Sequence, residues 1–487
     1  MMIMDKDLVS IQESRVLMEN AASAQKELAL FSQEKLDAIV EAMVGSVSKQ
    51  VESLAKLSFE ETGYGRWQDK VQKNLFVTQQ VLTHLRSLKC VGVISKDEEQ
   101  RTLDIGIPFG VLVGLSPVTS PVSTTIYKAL IAIKSGNSIV FSPHPHATKC
   151  IKAALDCMIE AAEKSGLPNG SLSYMDTVTK EGTKELLNHP DTALILLSGV
   201  PGMAELGRRS GKPVIYSGTG NGPAFIERSA DVRQAVQDIV SSKVFDNGIS
   251  PSAEHSIIVD ECIEPQIRSL MQEQGAYFMT EEESCALAEL LFSETGKHRL
   301  GMVGVSAKQL AKRANFSVPD SVRLLVAERK YVTKDDPYSK ELLAPVLAYY
   351  VEDDWMHACE KCIELLLHVR NAHTLTIHSN DEEVISLFAL RKPVGRLLVN
   401  TPASFGGIGL TTNLTPSMSL ANRTYGLGMT ADNISPSNLT YIRKVGYGVR
   451  QVDNFLFKQE SKPQCEESPI DSVQKVIQEA LRAIQNS

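Results

Sequence analysis

The feature that most constrains this chain is an alternation: short runs that are apolar throughout take turns with longer stretches whose apolar residues recur at helical spacing. The runs at 110–115, 138–141 and 193–197 are of the first kind, and 147–162 is of the second. A strand that is apolar on both faces must be covered on both, and helices between successive strands supply the cover, so the pattern predicts an α/β fold with a parallel sheet. A second α/β unit is expected from about 218 to 399. Ahead of the first strand, Leu17, Ala21 and Ala24, then Leu36, Ile39, Val40 and Met43, mark 10–88 as mostly amphipathic helix. The segments 90–94 and 101–107, on either side of a polar 95–100, read as a hairpin with a charged turn.

Composition narrows the function classes. The chain has 487 residues, 43% hydrophobic and 22% charged, enough for roughly two or three domains with full cores. Its net charge of −8, with no run of Lys or Arg, argues against a nucleic-acid partner. No apolar run approaches the roughly 18 residues of a membrane span. The first residues carry Asp5 and Asp7 where a secretory leader needs a basic segment and an apolar core, so a cytoplasmic location is expected. Eight scattered cysteines suit a reducing compartment.

Three glycine-rich stretches could carry chemistry. Ser198-Gly-Val-Pro-Gly202 lies between an apolar run and a helical stretch, where backbone N–H groups and a helix N-terminus receive phosphates, although it departs from GxGxxG and is also compatible with a bare turn. Ser217-Gly-Thr-Gly-Asn-Gly-Pro223 precedes a strand, unlike a dinucleotide fingerprint. Phe405-Gly-Gly-Ile-Gly409 reads as a loop or a close backbone crossing. Cys359 and Cys362, one turn apart on an apolar helix face, read as core residues, as do Cys150, Cys157, Cys262 and Cys285. His144 and His146 lack an acidic or thiol neighbour and read as loop structure rather than a metal site.

Six motifs then occur in order: Phe141-Ser-Pro-His-Pro145, Ser198-Gly-Val-Pro-Gly-Met203, Gly218-Thr-Gly-Asn-Gly-Pro223, Phe245-Asp-Asn-Gly248, Glu341-Leu-Leu-Ala-Pro345 and Val399-Asn-Thr-Pro-Ala-Ser404. Over about residues 5–455 this set resembles the CoA-acylating, NAD-linked aldehyde dehydrogenases. That family includes the ethanolamine- and propanediol-utilisation enzymes of bacterial microcompartments and the aldehyde dehydrogenase half of bifunctional aldehyde–alcohol dehydrogenases. The resemblance implies an aldehyde dehydrogenase fold. Its parts would be a Rossmann-like cofactor domain over 1–217 carrying the oligomerisation hairpin 90–108, a catalytic α/β domain over 218–402, and a return segment with an oligomerisation strand over 403–456. It implies NAD and coenzyme A as cofactors, with Ser142, Pro143, Ser198, Gly199, Gly202, Gly220 and Glu341 as cofactor-binding positions. Glu341 matches the acid that holds the nicotinamide ribose.

The family's chemistry, as the resemblance implies it, begins with a Cys thiolate attacking the aldehyde. An Asn amide and the backbone N–H of the Cys hold the oxyanion, hydride leaves to NAD, and CoA displaces the thioester. The general-base Glu of hydrolytic relatives is absent here, its place taken by about Ser217. This chain departs from the pattern at the centre of the chemistry. Pro251 stands at the Cys position, in Ile249-Ser-Pro-Ser252, and proline has neither a thiol nor a backbone N–H. Ser120 stands at the Asn position. Loss of one oxyanion donor lowers rates by about 10²–10³, and loss of the nucleophile by more. Val200 replaces a family Gly in the phosphate turn, and 423–433 lacks the family's Gly-Gly-Asn. Ser250 and Ser252 are the candidate replacement nucleophiles, with His255 as the nearby base.

Beyond a polar linker at 457–469, Ile470, Val473, Val476, Ile477, Ala480, Leu481 and Ile484 fall on one face of a helix over 470–487. It resembles the encapsulation peptides that deliver enzymes into microcompartment shells; the alternative is a helix that folds back onto its own domain. Two functions are therefore expected. One is a catalytically impaired family member, a structural or regulatory microcompartment subunit forming a homo-oligomer or partnering an active paralogue and bound to shell proteins through 470–487. The other is an active NAD-dependent acetaldehyde or propionaldehyde dehydrogenase.

Overall fold

The computed structural model describes residues 5–199, 201–218, 220–368, 373–422, 428–450, 452 and 469–485. The amphipathic start forms helices Lys6–Leu28, Gln33–Ser48, Val51–Thr62, Trp67–Leu75 and Leu82–Ser87, the last two joined by a π-helical turn, Phe76–Val81. Local chemistry sets the ends: the Asp5 carboxylate accepts from the Asp7 and Leu8 N–H groups, Ser32 from Lys35, and Gly63 at φ +70° closes the third helix.

Two strands follow, β1 (Gly92–Asp97) and β2 (Thr102–Pro108). Residues 95–97, expected in the turn, continue the first strand. Nearly all of β1 is exposed, so polarity there does not mark the strand's end. The second sheet has five parallel strands: β3 (Val111–Leu115), β4 (Ser138–Ser142), β5 (Leu172–Tyr174), β6 (Thr192–Ser198) and β7 (Val214–Ser217). The third has seven: β8 (Gly222–Ile226), β9 (Glu254–Asp260), β10 (Ala276–Phe278), β11 (Leu324–Glu328), β12 (Val346–Glu352), β13 (Thr374–His378) and β14 (Arg396–Val399). Their orders are β5-β4-β3-β6-β7 and β10-β11-β12-β9-β8-β13-β14. Strand β15 (Thr440–Gly446) joins β2 to complete a three-stranded sheet, β1-β2-β15. This is the mixed α/β architecture that the alternation predicts.

The chain divides into two compact units. The larger is 1–92 with 106–442, and the smaller is 93–105 with 443–487. In the larger unit, helix Pro121–Lys134 is buried at all of its positions and shares a core with Leu36, Ile39 and Met43 of the N-terminal helices. The smaller unit includes the terminal helix Pro469–Gln485, of which Val473, Val476, Ile477 and Leu481 are exposed. No helix among the described residues is long and apolar enough to cross a membrane.

Cys150, Cys157, Cys359 and Cys362 are buried, but Cys262 and Cys285 are exposed, against the expectation that they are core. Cys262 sits in a single 3₁₀ turn, Glu261–Ile263, with no buried residue, and Cys285 lies on helix Glu281–Leu291 with its Sγ facing the Glu281 carboxylate at 3.7 Å.

Candidate active site

In the five-stranded sheet the strand order reverses between β3 and β6, and open α/β sheets bind ligands in the crevice beyond the carboxyl ends of such strands. The buried Lys128 Nζ ties those two ends together, donating to the carbonyls of Leu115 (2.5 Å) and Leu196 (3.0 Å). Beyond them opens a cavity of about 580 Å³. Pro117 to Ser120 follow β3 along its wall, and Ser198 ends β6 with Gly199 following it. The rest of the lining comes from Ser217 at the end of β7 beside Ser198, from Gly218, and from Ser250 to Ser252, Glu341 and His373, which precede strands of the larger sheet. Pro251 and Ser120, far apart in sequence, therefore meet in one chamber.

A strained turn delivers Pro251 there. Asp246, Asn247 and Gly248 take φ of 49°, 52° and 71° in succession, the left-handed region that L-residues avoid. A Cβ at Gly248 would overlap the Ala344 carbonyl, so glycine is required. The Asp246 carboxylate holds the turn: it accepts from the Arg66 N–H at 2.7 Å and pairs with Lys73 at 2.6 Å and Lys70 at 3.2 Å. Burial pushes this carboxyl up, and the two ammonium groups more than offset it, holding the group below its ordinary range. Asn247 donates to the Gly304 carbonyl at 2.8 Å. The chain then reaches the exposed Pro251 between Ser250 and Ser252.

Those two hydroxyls bond each other at 3.0 Å. The candidate base is turned elsewhere: His255 Nδ1 accepts the Leu342 N–H at 2.9 Å, and its ring is buried and absent from the cavity wall. His255 and His373 lean on the Pro251 carbonyl without the geometry of a complete hydrogen bond, and each Nε2 is otherwise unpartnered. Burial dominates both, pushing His373 down to about 3 and His255 well below its usual value. Neither is poised as a base at neutral pH. Ser120 stands at the head of helix Pro121–Lys134 without capping it; its Oγ accepts from Lys73 Nζ at 2.9 Å. Lys73 thus joins Ser120 to Asp246. Sequence alone does not disclose this role, because Lys70 and Lys73, three apart on a polar helix, resemble a solvated face. Nor does it disclose His373, which lines the cavity, since nothing near it in sequence marks it.

The positions assigned to a cofactor separate. Ser198, Gly199 and Glu341 line the cavity. Gly199 takes φ +68°, and a Cβ on Gly202, in the first turn of helix Pro201–Arg209, would meet nothing within 4 Å. That open first turn could take a pyrophosphate. Glu341 Oε1 accepts the Gly220 N–H at 2.8 Å, and burial pushes its carboxyl up to about 7 against that bond and the nearby Lys243. Gly220 lies behind the wall, where a Cβ would overlap His373 and the Pro251 carbonyl. Ser142 and Pro143 do not reach the cavity: both are buried, and the Ser142 hydroxyl bonds Thr183 at 2.8 Å. Val200 and 423–427 of the late loop lie outside the described residues.

A parallel-sheet pair with a chamber between strand ends of both sheets defines a class, and the sequence agrees: a profile of the aldehyde dehydrogenase family matches residues 8–283. The chain belongs to the aldehyde dehydrogenase family. It is 33% identical over 455 residues to the bifunctional aldehyde-alcohol dehydrogenase AdhE of Escherichia coli K12, an alignment covering 92% of this chain and 51% of that protein. The chain thus spans about half the length of the first curated relatives it matches. Among solved structures, an acetylating aldehyde dehydrogenase from Geobacillus thermoglucosidasius superposes with a TM-score of 0.89 at 41% identity, covering 92% of this chain and 99% of that one. A propionaldehyde dehydrogenase from the Clostridium phytofermentans fucose utilisation microcompartment gives 0.78 at 27%, covering 88% and 96%.

Proposed function

We propose that this chain is a catalytically silent member of the CoA-acylating branch, a structural or regulatory subunit that assembles with copies of itself or with an active paralogue. The observation that carries the reading is the content of the chamber. Pro251 occupies the nucleophile position, no cysteine among the described residues lines the wall, and the Ser120 hydroxyl at the oxyanion position is engaged by Lys73. Neither serine beside Pro251 has a base: they bond each other, and His255 is held by Leu342.

The framework for a dinucleotide is kept in part. Ser198, Gly199, Gly202 and Glu341 would hold NAD, whose bound nicotinamide accepts hydride in this family; CoA rests on the resemblance alone. The exposed apolar stripe Val473, Val476, Ile477 and Leu481 supports the encapsulation reading, because a helix with such a stripe needs a partner surface to be stable. The microcompartment setting of the Clostridium phytofermentans relative is consistent with it.

The test is NADH formation from acetaldehyde or propionaldehyde with NAD and CoA. We expect none above background. Turnover on the order of 1–10³ s⁻¹ would overturn the reading in favour of an active acylating dehydrogenase.

A further inference from the structure

Away from the chamber, the buried Lys392, just before β14, points its Nζ at Cys359 on helix Trp355–His368. The nitrogen is 2.6 Å from the Cys359 carbonyl oxygen and 2.6 Å from its Sγ. Both residues are buried, Cys359 at 3% exposure and Lys392 at 7%, and the Phe388 ring lies 4.2 Å beneath the nitrogen. The first distance is an ordinary hydrogen bond. The second is not an ordinary contact. Sulfur is larger than oxygen, and heavy atoms that only touch rest near 3.5–4.0 Å. A nitrogen and a sulfur as close as these take the separation imposed when a single oxygen atom bridges them.

We propose that Lys392 and Cys359 form a covalent N–O–S bridge, a reductant-labile staple between helix Trp355–His368 and the segment entering β14. The co-reactant is dioxygen, small and apolar enough for a buried site. The amine and the thiol each lose one hydrogen. One oxygen atom becomes the bridge, and the other leaves as water with those two hydrogens. Nitrogen and sulfur together give up the four electrons that reduce dioxygen, a step beyond the simple sulfenic acid on the cysteine oxidation ladder. Two equivalents of dithiol return the amine, the thiol and water. Cys362, one turn on, is a different case: burial pushes its thiol up to about 12, keeping it protonated and inert.

The staple would join positions 33 residues apart. It would also bear on the cavity wall, because the same helix holds the turn before β8, where Asn221 Nδ2 donates to the Leu365 carbonyl at 3.1 Å.

Peptide mapping of the full-length protein, exposed to air and digested with trypsin without reductant, tests this. Cleavage after Lys361 places Cys359 in peptide 341–361 and Cys362 in 362–370, while Lys392, followed by Pro393, leaves in 392–396. We expect 341–361 joined to 392–396, at the summed mass plus one oxygen less two hydrogens, and two free peptides after dithiothreitol. The species should vanish in Cys359→Ser and in Lys392→Met. Three results would each overturn the proposal: 341–361 recovered only as the free thiol, a disulfide to 362–370 as the sole oxidised product, or a joined pair lacking the oxygen. All three are read on the wild-type protein, so a variant that fails to fold leaves the test intact.

Discussion

At the scale of single residues, Pro251 and Ser120 carry the proposed loss of chemistry, while Asp246 shapes the turn that reaches the chamber. Pro251→Cys restores a thiol and a backbone N–H, and Ser120→Asn restores an amide donor. Both act on one transition state, so only the double variant should gain appreciable NADH formation, exceeding Pro251→Cys alone by about 10²–10³ and Ser120→Asn alone by more; equal rates in a single and the double variant would contradict this. Asp246 is the opposite case, a shaping group. Asp246→Asn would leave Lys70 and Lys73 buried without their carboxylate, and chemical denaturation should register a loss of about 3–5 kcal/mol. Its support is present above the ordinary carboxylate pKa and is lost as pH falls through the lowered folded value. Glu341 has the reverse sign. Its folded pKa is raised to about 7, so the folded state holds the extra proton, and stability declines as pH rises from the ordinary carboxylate range toward 7. Glu341→Gln should therefore stabilise the protein by roughly 1–3 kcal/mol near pH 8 and change little near pH 5, measured by urea unfolding at both.

At the scale of elements, legibility in the sequence followed burial. The apolar runs that predict β3, β4 and β6 are buried at almost every position, so their composition announces them. β1 is exposed along most of its length, so its polar half resembles a turn, and Cys262 and Cys285 resemble core residues because cysteine chemistry alone does not say whether the side chain faces solvent. The Pro251 and Ser120 departures could be read from motif position. Lys73 could not, since its partners Ser120 and Asp246 lie 47 and 173 residues away. The terminal helix shows its amphipathic stripe plainly. Ile477→Glu with Leu481→Glu, both exposed, should leave the unfolding free energy within about 0.5 kcal/mol yet abolish co-purification with shell proteins. Equal recovery with shells would remove the encapsulation reading.

At the scale of the whole molecule, the three-stranded sheet β1-β2-β15 is the proposed assembly element. It leaves Val93, Tyr441 and Ile442 exposed, and apolar residues on a sheet surface are suited to pairing between copies. Light scattering should find an oligomer, and Tyr441→Asp with Ile442→Asp should lower its mass; a monomeric wild type would count against the assignment. The chamber itself has a further consequence. In a working dehydrogenase, a bound dinucleotide is continually drained by hydride transfer and product exit. On the proposed silent reading, occupancy of the vessel of about 580 Å³ would be governed only by concentration and dissociation. A ligand there would act by mass action alone, tightening the fold in proportion to the logarithm of its level. Such a protein would behave as a reporter of its ligand's abundance, with a residence time that no chemistry cuts short.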